Sequence, residues 1–357
     1  SQAALASFRV ALASGKDTHL AHFNIGNLLL DQGDLDAAAT SFKAALDAKA
    51  DFPRAAAALA LIEERKGNRE SAEATLRSLI DAHPDSVDAK CSLSQLLARA
   101  QNFEESRKLA LEVLAENERN ADAILALGMV YRRQKKFELA EMALKQALEI
   151  DSRLGTAYNE LGIAFNTQDK KPQAVQSFEL AAKANPGSAA IANNLGVLRT
   201  EVGAYRAAIV DLERATKLEP NRVDYVINLG NAYRGDQRYE DAEKAYLKGL
   251  DLSENLPAAL FNLGVLYLDN ELPGKDNALV RYQLTIDYLN RFREFAEEPA
   301  EDKERLDDYI GTAEKFIKRE KKRIERKRKR EERKRKKAAK AAEEAQESAE
   351  GATASEE

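Results

Sequence analysis

A single cysteine, Cys91, occurs in 357 residues, so no disulfide can form within the chain and the redox compartment is left open. In its position within a helix, this thiol reads as one more small packing residue. Histidine is nearly as scarce. His19, His22 and His83 have no Cys or carboxylate cluster at metal-ligand spacing beside them, and no nucleophile, base and orienting group converge in the sequence. No glycine loop of the phosphate-cradling kind is present. These gaps argue against an enzyme, and no metal, cofactor or small-molecule substrate is expected. Nor is there a run of about 18 apolar residues, so no segment reads as a membrane span, and no charged start followed by an apolar centre reads as a signal peptide. Aromatic residues make up only 6% of a chain that is 44% hydrophobic, a balance suited to helices packed through small side chains.

What the chain has is repetition with a 34-residue period. Counting Val223 as position 1, Leu229, Gly230 and Tyr233 fall at positions 7, 8 and 11, and Ala242 and Tyr246 at 20 and 24. This is helical spacing twice, with a break near Gln237, and so a helix-turn-helix. Position 8 is always small: Gly26, Ala60, Ser94, Gly128, Gly162, Gly196, Gly230 and Gly264. Glycine costs about 1 kcal/mol in a helix interior, so its recurrence points to close helix contact. Position 20 agrees, with Ala38, Ala72, Ser106, Ala140, Ala174, Ala208 and Ala242, while position 24 takes larger partners such as Phe42, Leu144, Phe178 and Tyr246. Pro84, Pro186 and Pro220 stand at position 32, where the second helix must end.

This pattern resembles the tetratricopeptide repeat. The resemblance implies an all-α, right-handed superhelical solenoid of about eight helical hairpins. Repeats start at residues 19, 53, 87, 121, 155, 189, 223 and 257 within an array spanning 19–298, expected as one elongated domain. Position 3, which in this family faces the preceding hairpin, is Ala in six of the eight repeats, with Ile191 and Tyr225 the exceptions. Residues 1–18 read as the second helix of a repeat that begins upstream, because Ala4, Phe8 and Ala11 fall on positions 20, 24 and 27. Leu5, Phe8 and Leu12 are therefore expected to be partly uncovered. In the eighth repeat Leu272-Pro273-Gly274 lengthens the turn, so Ala278 and Tyr282 come two residues late for positions 20 and 24.

Beyond Pro299, Leu306, Tyr309, Ile310, Ala313, Phe316 and Ile317 form one helical stripe, read as a C-terminal capping helix over 299–324. Residues 318–340 then hold 16 Lys and Arg against 4 Glu, a net +12 inside a chain whose total is -5, so everything else sums to -17. Such a segment cannot enter a core. Pairs of Glu before a base at i and i+4 (Glu325–Lys329, Glu331–Arg335, Glu332–Lys336) favour a projecting, solvated basic helix over 325–342. Its Lys327, Arg328, Lys329, Arg330, Arg333, Lys334 and Arg335 are candidates for contact with an anionic partner. Residues 343–357 carry six Glu and no base and read as a disordered acidic tail.

In the family the first helices line the concave face. There the sequence places Asn24, Asn194, Asn228 and Asn262 at position 6, Asn159 and Asn193 at position 5, and Asn27 and Asn231 at position 9. Asn is a poor helix former, and its amide can donate to and accept from a peptide bond at once. These eight residues resemble the asparagine ladder by which some tetratricopeptide arrays hold an extended chain. The competing reading is that Asn-Leu-Gly is only a common form of the motif, and Ala58, Ser92, Ala126 and Glu160 interrupt the ladder. Arg234, with Arg132 and Arg133, lies near a helix end and is a candidate ligand contact. Arg54, Arg65 and Arg99 read equally as ligand contacts or as solvated surface. Lys and Arg beside Asn on consecutive first helices, the family's clamp for a C-terminal carboxylate, are missing. The expected function is a scaffold for protein partners in a multiprotein assembly. The alternative is binding of nucleic acid, anionic lipid or cell envelope through the basic helix. An array ending in a Lys/Arg-rich helix and a Glu/Ala tail is also similar to repeat lipoproteins of myxobacterial gliding-motility assemblies. That likeness implies a periplasmic, outer-membrane-associated site, the alternative being cytoplasmic.

Overall fold

A computed structural model of the chain describes residues 7–8, 10, 12–13, 15, 17–272, 277–295 and 300–353. Among these it has seventeen α-helices and no strand. They are α1 (Thr18–Asp31), α2 (Leu35–Ala48), α3 (Pro53–Arg65), α4 (Arg69–Ala82), α5 (Val87–Arg99), α6 (Phe103–Glu116), α7 (Ala121–Arg133), α8 (Phe137–Ile150), α9 (Gly155–Thr167), α10 (Lys171–Ala184), α11 (Ala189–Glu201), α12 (Tyr205–Leu218), α13 (Val223–Gly235), α14 (Tyr239–Leu252), α15 (Pro257–Asp269), α16 (Ala278–Phe295) and α17 (Ala300–Thr353). Contacts divide the chain into two compact units, residues 1–236 and 237–357. The sequence points to one array, and the division falls at the turn of its seventh repeat.

In the first unit the small residues do what their recurrence implies. A Cβ built on Gly26 would lie 2.6 Å from the Phe42 ring, on Gly128 2.7 Å from Leu144, on Gly162 2.6 Å from Phe178 and on Gly196 2.5 Å from Leu212. Position 8 is thus the floor on which the position-24 side chain of the same hairpin rests. Where Ser94 and Ser106 replace Gly and Ala, each hydroxyl donates to the other's backbone carbonyl at 2.7 Å, so the buried polar atoms are satisfied. Ala21, Ala55, Ala89, Ala123 and Ala157 at position 3 are buried, as are Ile191 and Tyr225. Second helices stop at Ala82, Ala184 and Leu218, two residues before Pro84, Pro186 and Pro220.

The turn between paired helices places position 15 in the left-handed region in every repeat from the first to the sixth. Gly33, Gly67 and Gly203 do so without a Cβ, but Gln101 (φ 65°), Lys135 (φ 59°) and Asp169 (φ 58°) adopt it as well. Ahead of α1, Phe8 and Leu12 are half-buried and Val10 is 71% exposed, while Leu5 lies outside the described residues.

The second unit packs α14 on α15, α15 on α16 and α16 on α17. Its hairpin corrects the two-residue offset read from the sequence. Gly264 rests against Leu289 and the Thr285 carbonyl, so 25 residues separate this glycine from its partner where 16 separate Gly26 from Phe42. Thr285 and Leu289, both fully buried, take the roles assigned to Ala278 and Tyr282. Tyr282 instead stacks on Phe316 of α17 at 5.0 Å, and Phe261 of α15 meets Phe292 and Tyr309. With Leu306 and Ala313 buried, the first turns of α17 form an apolar stripe against α16 and α15. From residue 321 to 339 every side chain is exposed. The sequence divides 299–357 into cap, basic helix and disordered tail, but the structure runs one helix of 54 residues to Thr353. Ala338, Ala339, Ala341, Ala342, Ala345 and Ala349 are strong helix formers, and no proline intervenes. Residues 354–357 lie outside the described residues.

Candidate peptide-binding groove

The asparagines are joined to one another. Asn194 Nδ2 of α11 donates to Asn159 Oδ1 of α9 at 2.9 Å, and Asn228 Nδ2 of α13 donates to Asn193 Oδ1 of α11 at 2.9 Å. Position 6 of one repeat thus reaches position 5 of the repeat before it. Stacking brings neighbouring first helices within amide reach, so Asn194 and Asn228 each spend one Nδ2 hydrogen bond inside the array. The pairing also orients the acceptors. With Oδ1 engaged, Asn159 and Asn193 are left with an Nδ2 that donates no hydrogen bond among the described residues. Asn24 and Asn27 are half-buried on α1 and Arg234 is half-buried in the last turn of α13. Asn231 on α13 and Asn262 on α15 are half-buried and each engaged in further interactions.

Two cavities run along the first helices of residues 1–236. One, of about 250 Å3, is lined by Phe23, Arg54, Leu61, Asp88, Cys91, Gln95 and Asp122 among others. The next, of about 340 Å3, has Leu61, Arg65 and Arg99 on one side and Thr156, Asn159, Glu160, Ile191, Arg222 and Tyr225 on the other. Leu61, Glu64 and Arg99 belong to both, which makes them one continuous groove. In the same unit the turn after α1 closely approaches the end of α12, where a Cβ on Gly33 would lie 2.6 Å from Leu218.

The groove is strongly charged on both signs. Arg99 binds Glu64 through two bonds of 2.5 Å, the side chains 26% and 13% exposed, so of the two readings open to Arg99 in the sequence solvated surface is excluded. Arg132 pairs with Glu160, which is only 5% exposed. Glu160 interrupts the asparagine ladder because it serves this pair. Arg54 stands over the Phe23 ring at 5.0 Å and 3.6 Å from Asp88. Arg133 makes no ion pair within 4 Å among the described residues. Burial, then neighbouring Arg132, pulls its pKa below the usual guanidinium range. At the other end burial raises Asp122 above ordinary carboxylates, Gln95 opposing and Asp88 adding to the shift. Burial likewise pushes the Cys91 thiol up to about 12. The recurrence of Arg65 and Arg99 at position 13 of successive repeats was the signal in the sequence for the basic side of the second cavity, which both line.

On α17, Lys327, Arg328, Lys329, Arg330, Arg333, Lys334 and Arg335 are all exposed. Two of the three expected pairs form, Lys329–Glu325 at 2.6 Å and Lys336–Glu332 at 2.9 Å, which leaves most of the positive charge uncompensated.

Among solved structures, the fold is similar to a chain of the APC/C hetero-tetramer Cut9–Hcn1, at a TM-score of 0.64 and 17% identity over 85% of this chain. The present chain spans 56% of that one. PilF of Pseudomonas aeruginosa gives 0.46 at 20% identity, covering 58% of this chain and 95% of its own. YrrB, described as a TPR protein with an unusual peptide-binding site, gives 0.41 at 18%, covering 52% and 95%. No curated protein matches the sequence. A tetratricopeptide repeat model matches residues 1–53, 23–87, 57–121, 91–154 and 125–189, and a second TPR repeat model matches 230–270. Matched over more than half its length by models of its own 34-residue unit, the chain belongs to the tetratricopeptide repeat family.

Proposed function

We propose that this chain is an interaction scaffold whose groove in residues 1–236 holds an extended segment of a protein partner. One observation carries the reading. Asn159 and Asn193 are fixed by their neighbours with amide nitrogens unspent, and Asn159 lines the groove, where a peptide carbonyl can take that donor. The decisive test is selection of binders from a random peptide display library on the full chain, repeated on a variant with Asn159 and Asn193 changed to Ala. Enriched peptides should lose about tenfold or more in affinity on the variant, at about 1 kcal/mol per hydrogen bond lost. Failure to enrich any peptide, or equal binding to both proteins, refutes the groove.

A second reading is favoured by the uniform exposure of residues 321–339: α17 docks on an anionic surface, nucleic acid or lipid. Affinity through it should fall linearly in log salt, whereas neutral amide contacts in the groove respond little. Deleting residues 318–357 should remove the binding of nucleic acid and anionic lipid together with its salt dependence. If the shortened chain keeps it, α17 is a spacer. Membership of a gliding-motility assembly at the outer membrane rests on the likeness of the tail alone, and co-purification from envelope fractions decides it.

A further inference from the structure

Around the C-terminal ends of α3, α5 and α7 the first unit concentrates arginine. Arg69, Arg99 and Arg132 all lie close enough to bear on Arg133, and among the described residues two glutamates are paired with this group, Glu64 with Arg99 and Glu160 with Arg132. Arg133 is the surplus. Its side chain is half-buried, and its Nε is buried with no hydrogen-bond partner. Guanidinium does not give up its proton in proteins, so burial cannot be relieved by neutralisation as it can for Lys or His. A half-buried cation among other cations is held at a cost that an incoming anion would remove.

The nature of that anion follows from the surroundings. Glu64, Glu160 and Glu219 line the adjoining cavity, and Asp88 and Asp122 line the one beyond it. A polyphosphate backbone, with a charge at every nucleotide, would meet those carboxylates along its path. One carboxylate on an otherwise uncharged extended chain would meet only the surplus cation, with the bidentate fit that guanidinium offers. We propose that Arg133 anchors an Asp or Glu side chain of the segment held in the groove. This rests on the groove reading above and adds to it the chemistry of the partner.

The test uses the full chain and two short fluorescent peptides with amidated C-termini, alike and uncharged except at one central position, which is Glu in the first and Gln in the second. Amidation removes the terminal carboxylate, so only side-chain recognition is read. By fluorescence anisotropy the Glu peptide should bind about tenfold to a hundredfold more tightly, the range for hydrogen bonds to a charged group. Arg133→Met should bring the ratio to near unity and Arg133→Lys should keep part of it, while exposed Arg69→Met should leave it unchanged. Melting of Arg133→Met should occur no lower than wild type, since no ion pair is lost; if that variant nonetheless fails to fold, Arg133→Lys and Arg133→Gln carry the comparison. Equal binding of both peptides, weakened alike when Asn159 and Asn193 are Ala, would leave the groove standing and overturn the carboxylate anchor. So would an unchanged ratio in Arg133→Met, or a failure of the wild type to bind the Glu peptide. An oligothymidine that binds through Arg133 more tightly than the Glu peptide does would also overturn it, in favour of nucleic acid.

Discussion

Glu160 is the residue whose removal tests the electrostatics of the groove most directly. Its side chain is 7% exposed and that of Arg132, its partner, 12%. In Glu160→Ala the Arg132 guanidinium loses its counter-charge while staying largely out of water, and Arg133 loses the one nearby charge that favours its cationic form. Breaking a buried pair from one side costs about 3 to 5 kcal/mol, and the residual solvent contact of both side chains sets the expectation at about 3. Replacing both partners by apolar residues of similar volume, Arg132→Met with Glu160→Leu, should return stability to within about 1 kcal/mol of wild type. Urea unfolding followed by far-UV circular dichroism gives the overall change. Because an array of hairpins need not unfold in one step, hydrogen exchange of α7 and α9 amides locates it. If Glu160→Ala costs less than about 1 kcal/mol, or the double variant is no better than the single one, the pair is effectively solvated and the groove is not a low-dielectric surface.

Other positions carry equally definite expectations. Lys135 holds a left-handed backbone that costs a side-chain-bearing residue about 1 kcal/mol, so Lys135→Gly should raise the urea midpoint. Gly196→Ala should destabilise by about 1 to 2 kcal/mol, because its Cβ would press on Leu212 and the Ala208 carbonyl by more than the helix-propensity gain returns. Gly311→Ala, with nothing within 4 Å, should stabilise α17 by about 1 kcal/mol. Cys91, 4% exposed and with its thiol pushed up from 9.0 to about 12, should resist maleimide in the folded chain and react at once in urea. Its contribution to stability is complete below about pH 9 and lost as pH rises toward 12, so a folded protein that labels readily at neutral pH would contradict its burial. Asn194→Ala should weaken selected peptides about as much as Asn159→Ala does, measured by the same anisotropy titration.

The hairpins were legible in the sequence because their packing depends on side-chain size at fixed positions. Gly or Ala at position 8 beneath a large residue at position 24 is a local signal repeated every 34 residues, and steric contact such as Gly162 on Phe178 is its direct cause. The eighth repeat escaped because a longer turn moved the register by nine residues, and Thr285 gave no hint that it would be buried where alanine sits elsewhere. Disorder was read into residues 343–353 from their charge, while their alanine content, a helix signal, carried the outcome. The division at residue 236 has no local signature, being a property of contacts summed over many residues. Pairing in the groove was illegible for a different reason. That Asn194 meets Asn159, or Arg132 meets Glu160, depends on how one first helix is offset against the next, and the residue types alone permit solvated alternatives.

The amide pairs change what the ladder can do. A free asparagine on a helix must give up rotamer freedom when it binds, which takes back much of what one hydrogen bond returns. Asn159 and Asn193 have already been ordered by folding, at a cost offset by the bonds they accept from Asn194 and Asn228. Their unspent nitrogens are therefore presented in a fixed geometry, and a peptide that reaches them loses only its own freedom. On the proposed reading, residues that never touch the ligand would act on its affinity, Asn194 through the orientation of Asn159 to which it donates. On the peptide reading proposed above, affinity would depend on the stacking of the repeats as much as on the residues that line the groove, and buried position-3 residues such as Ala157 would enter its binding energetics.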